Sequence, residues 1–566
     1  VFRDQFEREV EYLWQRLRRL SERHPRLEAL YARNADPRVS RLVQSAAFAF
    51  ASVHTRLHDD GQALIRPLVA AALPECLRPR PASTILQLTE TSSGPGATYV
   101  GHAQGVDLRF ELMWPVQVAS MALSDVRIER IDASLQVLRM TLTARPGMVL
   151  GTVLPDTLRV FVRLDQPALG LDLVHALRQA RNRIRVKGFD AKGARSVETK
   201  LPLGSLTWPR VDTFEPRLIG GRFDRFESGT LLRDLYAFPE SFCFFDVRIG
   251  SLRGATLAKL ELTLPLGVIV KDAGSVGVEQ ILLSCGPATN QYRAQITPLR
   301  PDGADREWPL TVAGHPHAEI LHVASFRHVN PHDTREQREL LSWEAPAVPH
   351  AFEPGDTYYL LEQEVGPSER RTETKVSFAS ADGFDLTMAG VFIEGFVLAS
   401  DGELADGLGL GDVGRSQGAT NVTRVAPSRR ALLGQNHPWR MNAYARMPPA
   451  RFATDAYLHE FFALHDSSDV RDASARIQVP SFAGARHDRV HRLVDGMLEW
   501  GDAFTVEMLA PQASTGEAWL LGELLARAIA DRNERLRFST LVVTRDGGVA
   551  ARYSARQGKR LPPPLG

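Results

Sequence analysis

The residues able to do chemistry are clustered histidines, a glycine-rich turn and three cysteines. His54 and His58 are four apart with Asp59 adjacent, the spacing that puts two imidazoles on one helix face. They supply half of a tetrahedral site, and no third ligand lies nearby in sequence. His315, His317, His322, His328 and His332 form a denser group, but they alternate with apolar residues as along a strand. A metal-dependent hydrolase built on residues 315–332 is therefore the alternative reading of the chain. His459-Glu460 followed by His465 fails as a zinc-protease motif, because a spacing of six puts the imidazoles on different faces. Gly409-Leu-Gly411-Asp-Val-Gly414 matches the dinucleotide fingerprint in letters. That fingerprint works only between a strand and a helix whose N-terminus meets the pyrophosphate, and the residues that follow carry no apolar stripe. The chain holds no Walker loop or Cys-x-x-Cys pair. Cys243 sits among phenylalanines, where a thiol is inert. The expected sets of catalytic, cofactor-binding and metal-binding residues are all empty.

Composition narrows the classes further. A chain of 566 residues exceeds what one core supports, since cores stop growing near ~250–300 residues. Apolar residues make up 44% and charged ones 24%, which excludes a disordered or collagen-like chain. Lys+Arg at 68 against Asp+Glu at 67 gives a net charge of +1, too small to hold nucleic acid or an anionic membrane. Cys76, Cys243 and Cys285 lie far apart, which fits a reducing compartment. No stretch approaches the ~18 apolar residues of a membrane span, and the first residues alternate charge with apolar groups where a signal peptide would be apolar. Val1 implies that residues precede it. These features predict a cytoplasmic protein without membrane insertion, cofactor or bound nucleic acid.

The pattern predicts an α+β, multidomain chain. Phe2, Phe6, Val10, Leu13, Leu17 and Leu20 recur at helical steps. Asp36-Pro37 starts a second helix, striped by Val39, Leu42, Val43, Ala46, Phe50, Val53 and Leu57. A third helix is expected around Leu64 and Leu68, ending at the prolines of 78–81. These eighty residues make a marginal core alone, so Phe6, Val10, Leu13 and Leu17 are candidate contacts of a partner bundle. After Pro81 the period becomes two, with strands at 106–112, 158–164 and 260–264 around one helix at 173–180. The expected units are 1–80 helical, 81–225 β-rich, 226–345 β-rich with an aromatic run, 346–454 β-rich with loops, and 455–566 compact α+β. In the last, a helix at 456–464 precedes a strand near Ile477–Val479 and another at 504–508. A helix at 516–530 is then covered by strand pairs, one closed by Asp546-Gly547-Gly548. The prolines of 561–566 should lie outside any sheet.

The run Leu231-Leu-Arg-Asp-Leu-Tyr-Ala-Phe-Pro-Glu-Ser-Phe-Cys-Phe-Phe-Asp246 closely resembles the signature of the TssF family, also called ImpG or VasA. These are baseplate subunits of bacterial type VI secretion systems. Further resemblances follow in order: residues 6–13, Asp36-Pro37, Arg78–Ser83, Leu112-Met-Trp-Pro-Val116, Ser284–Asn290, Pro427–Gly434, Leu520–Arg527 and Phe538-Ser539. Asp234-Leu235 stands where the family usually has Glu-Tyr, and Ser241 where it usually has Lys. The resemblance implies a structural protein, not an enzyme. It implies two copies joined to one TssG in a wedge, held partly by a helical bundle, with TssK attached below. Six such wedges would surround the VgrG spike and, with TssE, start sheath assembly beneath the inner-membrane complex.

Overall fold

The computed structural model describes residues 2–24, 37–72, 78–132, 135–145, 147–180, 182–212, 227–271, 273–301, 307–330, 333–342, 357–365, 372–380, 392–429, 437–466, 477–494, 496–509 and 514–559. Seven helices of ten residues or more lie among them: α1 Phe2–Arg23, α2 Pro37–Ala72, α3 Pro167–Arg178, α4 Glu227–Ala237, α5 His437–Arg446, α6 Asp455–His465 and α7 Thr515–Arg532. The second and third expected helices are one. Nothing between Leu57 and Leu64 stops the backbone ladder, so α2 runs on to Ala72. The cap at Asp36 lies outside the described residues.

Five sheets follow among the described residues, giving the α+β architecture that the pattern predicts. The first joins Ser83–Leu88 to Cys285–Thr289 and Ala419–Asn421 on its two sides, so three distant stretches meet there. The third carries Lys259–Leu266 between Gln136–Ala144 and Arg185–Phe189, all antiparallel. A seven-stranded sheet spans residues 292–400 around its own core of Phe326, Val376, Ile393 and Val397. Asn290 ties it to the first sheet. Its amide donates to Asp401 at 2.9 Å and its carbonyl accepts from the Asp401 backbone at 2.8 Å, while the Tyr292 hydroxyl donates to the same carboxylate.

The principal core draws on residues from Ile65 to Tyr553, and α7 runs through it. Ser514 and Glu517 close a capping box at its start, with Ser514 Oγ accepting from the Glu517 amide at 3.2 Å and the Glu517 carboxylate accepting from the Ser514 amide at 2.8 Å. The strand Met497–Leu509 runs parallel to Arg537–Arg545, the pairing that a crossover helix allows. The turn Asp546-Gly547 takes positive φ at both residues, which closes the expected hairpin. The strand expected near Ile477–Val479 begins instead at Ser481 and runs to Val494. Its exposed edge is mostly polar and carries no clean alternation. Strands are also not the whole cover of α7. Gly516 lies against the backbone of Leu171 in α3, where a Cβ would sit 2.5 Å from the carbonyl. Trp519 stacks between Trp208 at 5.5 Å and His175 at 5.4 Å. At the other end, the Asp531 carboxylate accepts from the amide and hydroxyl of Ser228 at the start of α4, at 3.2 and 2.7 Å.

The aromatic run forms the centre. It folds as α4, a single 3-10 turn Pro239–Phe242 and the strand Phe244–Arg248. Phe242, Phe244 and Phe245 are fully buried, and Phe244 meets Trp114 edge-on at 5.1 Å. Asp246 receives a forked pair from Arg159 at 2.9 and 2.8 Å. Asp234 is fully buried and accepts from both Arg80 and Arg210, one guanidinium on each oxygen. Removing a buried partner strands the remaining charges at a cost of ~3–5 kcal/mol. Asp234→Ala is therefore expected to lower the unfolding free energy by about that amount, read as a shifted denaturant midpoint.

Burial pushes the His175 imidazole down to about 4 from its ordinary 6.5, with the nearby Arg178 adding to the shift. The unfolded chain then holds the extra proton between those values, so stability is full above about pH 6.5 and falls as pH drops toward 4. His175→Leu should flatten that part of the pH–stability curve, measured by thermal melts across the window.

Candidate subunit interface

The N-terminal helices leave a surface that the body does not cover. Val43, Ala47 and Ala51 are buried along one line of α2, and Ile65 and Val69 continue it into the principal core beside Met441 of α5. α1 packs along α2. His54 Nδ1 lies 2.8 Å from Glu9 Oε1, and the Gln5 amide donates to that oxygen at 3.0 Å. A neighbouring line of α2 is equally apolar and lies open. Leu42, Phe50, Val53 and Leu57 are exposed at 71, 49, 55 and 62%. At ~100° per residue these four share an arc of about 80°, set about 100° around the helix from the buried line. The apolar surface of α2 is thus about twice as wide as its own fold uses.

The predicted residues Phe6, Val10, Leu13 and Leu17 stand on α1 half-buried, so part of each remains open. Two further exposed apolar groups, Tyr12 and Leu20, flank them. The open line on α2 was visible in the sequence as Leu42, Phe50, Val53 and Leu57. What sequence could not do was separate it from Val43, because both belong to one stripe.

Among the described residues the histidines do not converge. His315 and His317 occupy a turn, with the His315 ring 5.4 Å from Tyr292, while His322 and His328 stand on the strand Glu319–Asn330. Burial lowers His322 to about 4, with Arg78 adding to the shift, so its imidazole is neutral at ordinary pH. His332 and the side chain of His58 lie outside the described residues. Among the described residues, the one set of three clustered metal-type donors is Glu307, Glu362 and Glu364, and Lys375 Nζ sits 2.8 Å from Glu364. That is an ion-pair cluster, and the hydrolase alternative does not stand on it. His465 Nδ1 instead lies 2.7 Å from the Phe461 carbonyl. The glycine fingerprint is a loop wrapped on Asn421, which accepts from the Val413 amide at 2.9 Å and donates to the Gly409 carbonyl at 2.9 Å. Only a three-residue 3-10 turn follows it, too short to hold a phosphate on a helix end. Cys243 is buried and its thiol is pushed far up, chiefly by desolvation.

The family described as "Type VI secretion system, TssF" matches residues 1–560. The chain belongs to the TssF family. TssF is a structural baseplate component of the type VI secretion system and not an enzyme, which removes the hydrolase reading. A chain in the cryo-electron-microscopy structure of the type VI secretion system TssK-TssF-TssG baseplate subcomplex has the same fold. The TM-score is 0.71 at 16% identity, over 92% of this chain and 100% of that one. No curated protein sequence matches. No described helix of this chain is long and apolar enough to cross a membrane.

The open arc and the buried line differ in what substitution does. Phe50→Gln with Leu57→Gln should leave the melting of the isolated chain almost unchanged, within ~0.5 kcal/mol, as for other exposed sites. Ala47→Asp puts a charge into the α1–α2 contact and should destabilise the helical pair, seen as lost helical ellipticity at low denaturant.

Proposed function

We propose that this chain is a wedge subunit of a type VI baseplate, assembling with TssG and TssK. The observation that carries this reading is the open apolar arc of α2, together with the half-buried Phe6, Val10, Leu13 and Leu17 of α1. Two helices with one line satisfied and a second exposed are half of a larger bundle, because contiguous exposed apolar surface on a soluble chain marks an association site. TssG is the partner we assign to that bundle, with two copies of this chain per TssG. The full-length match to TssF and the likeness to a chain of the TssK-TssF-TssG subcomplex support the assignment. TssE and the VgrG spike complete the proposed assembly, which would start contractile sheath growth in the cytoplasm, docked at the inner-membrane complex. The five sequence units, 1–80, 81–225, 226–345, 346–454 and 455–566, are retained as proposed boundaries.

Charge placed in the arc tests the reading. Phe50→Asp with Leu57→Asp, and separately Leu13→Asp with Leu17→Asp, should abolish co-purification with TssG while the β-rich body stays folded. Each apolar-to-charged change at a formed interface costs well over ~2 kcal/mol, so the pair lowers affinity by at least about a thousandfold. Wild-type yields of the TssG complex from both double variants would overturn it.

A further inference from the structure

The helical pair carries a charge pattern that its own packing does not use. Gln5 and Glu9 of α1 both reach His54 of α2, at 3.3 and 2.8 Å. The start of α1 therefore lies beside the later turns of α2, and the two helices run antiparallel. The last turns of α1 stand next to the first turns of α2, at the Leu42 end of the open arc.

The rotation of each helix decides which residues share a side. On α1 the contact with α2 is centred on Phe6, Val10, Leu13 and Leu17. Tyr12, Arg16, Arg19 and Arg23 lie about 90–150° round from that centre in one sense, and Glu7, Glu11 and Glu22 about as far round in the other. On α2 the arc of Leu42, Phe50, Val53 and Leu57 is displaced about 100° from the buried line, in the same sense as the arginines. In an antiparallel pair equal senses emerge on the same side. The arc and the arginine line thus border one groove, while those three glutamates face away. Gln5 and Glu9 are displaced in the arginines' sense too, and their bonds to His54 cross the floor of that groove.

The Leu42 end of the groove is positive. Arg16, Arg19 and Arg23 are exposed, as are Arg38 and Arg41 on α2. Arg16 lies over the Tyr12 ring at 5.2 Å and donates to its hydroxyl at 2.9 Å. Among the described residues no carboxylate pairs with Arg16, Arg19 or Arg23, and Glu9 is taken by Gln5 and His54. Residues 12–24 and 37–57 hold seven arginines against one acidic residue, Glu22, and the connection 25–36 adds two of each sign. The excess positive charge therefore has no counterpart in this part of the chain.

We propose that the helix filling this groove carries a line of carboxylates beside its apolar stripe. The stripe covers Leu42, Phe50, Val53 and Leu57. Asp or Glu side chains three and four residues apart meet Arg16, Arg19 and Arg23, which have that same spacing, in charge-assisted pairs. The carboxylates belong at the Leu42 end alone, because the other end presents Gln5, Glu9 and His54 and no row of cations. Charge thereby selects the helix and sets which way it lies, and a basic helix with the same apolar pattern is rejected. This inference rests on the baseplate reading, in which the helix belongs to TssG, and adds the chemistry by which it is recognised.

Binding of full-length TssG to the full chain, measured by biolayer interferometry across a salt series, tests it. Affinity of the unmodified chain should fall at least about tenfold between ~0.05 and ~0.5 M salt. Replacing Arg16, Arg19 and Arg23 together by Gln should weaken binding about tenfold at low salt and flatten the salt dependence, with thermal melting unchanged. The triple change to Glu should weaken it at least about a hundredfold, and the triple change to Lys should retain most of it. Phe50→Asp with Leu57→Asp serves as the reference for the arc itself. If that pair loses TssG while the Gln and Glu triples bind as the unmodified chain does, this inference fails and the baseplate reading stands. Salt-independent binding by the unmodified chain overturns it in the same way. Retained binding by the arc pair and the triples alike, or no binding by the unmodified chain, overturns the reading of the face and this inference with it.

Discussion

One buried carboxylate holds this molecule's parts in register. Asp234 is fully buried in α4 and accepts from Arg80, just beyond the N-terminal helices, and from Arg210, in the one-turn helix Pro209–Asp212. Two guanidiniums and one carboxylate leave an excess positive charge out of water, tolerable only with close geometry and additional acceptors. The Thr230 carbonyl accepts from Arg80 at 3.3 Å, and the Arg210 guanidinium lies 4.9 Å from the Phe242 ring centre. Arg80 is followed at once by Ser83–Leu88, the strand that also pairs with residues 285–289 and 419–421. The position of Asp234 therefore sets where the helical pair meets the body and where the first sheet begins. Its neighbours on the same run extend the effect, since Phe244 fills the space beside Trp114 and Asp246 fixes Arg159.

That anchoring explains how an open helix face can exist. A helical pair with half its apolar surface exposed would collapse on itself or on another copy if it were free to move. Ile65 and Val69 root α2 in the principal core, and α1 lies along α2 with polar contacts at Gln5, Glu9 and His54. The arc of Leu42, Phe50, Val53 and Leu57 is thereby presented on a fixed support. A preformed surface loses less conformational entropy on association than one that must order first.

Much of the fold was legible because period and punctuation agreed. Leu260, Leu262 and Leu264 face one core, and the Asp546-Gly547 turn closes where its positive-φ preference says it should. Illegible parts share a physical reason: they depend on what lies across space. Asp234 and Arg80 are 154 residues apart, so no local pattern pairs them. Ser481–Val494 is an edge strand whose exposed and half-buried positions alternate without a matching alternation of polar and apolar residues, so its period does not show in the sequence. Both faces of α2 read as one stripe, since sequence records that a residue is apolar but not whether its own chain or another covers it. The Gly409–Gly414 run shows the converse hazard. Its glycines serve a loop around Asn421, with positive φ at Gly411 and Gly414, and the motif's letters carry none of its usual chemistry.

The central claim is that the arc of α2 is a preformed surface completed by a partner's helices. Amide hydrogen exchange on the full chain, alone and with TssG, tests it most directly. Alone, the amides of 42–57 should exchange faster than those of the strand 83–88, because only one side of the helix is covered. With TssG, the 42–57 amides should slow by at least about tenfold while those of 83–88 stay unchanged, which converts to ~1.4 kcal/mol of added local stability. Unchanged exchange across 42–57 in a complex that demonstrably contains TssG would contradict the account and move the interface elsewhere.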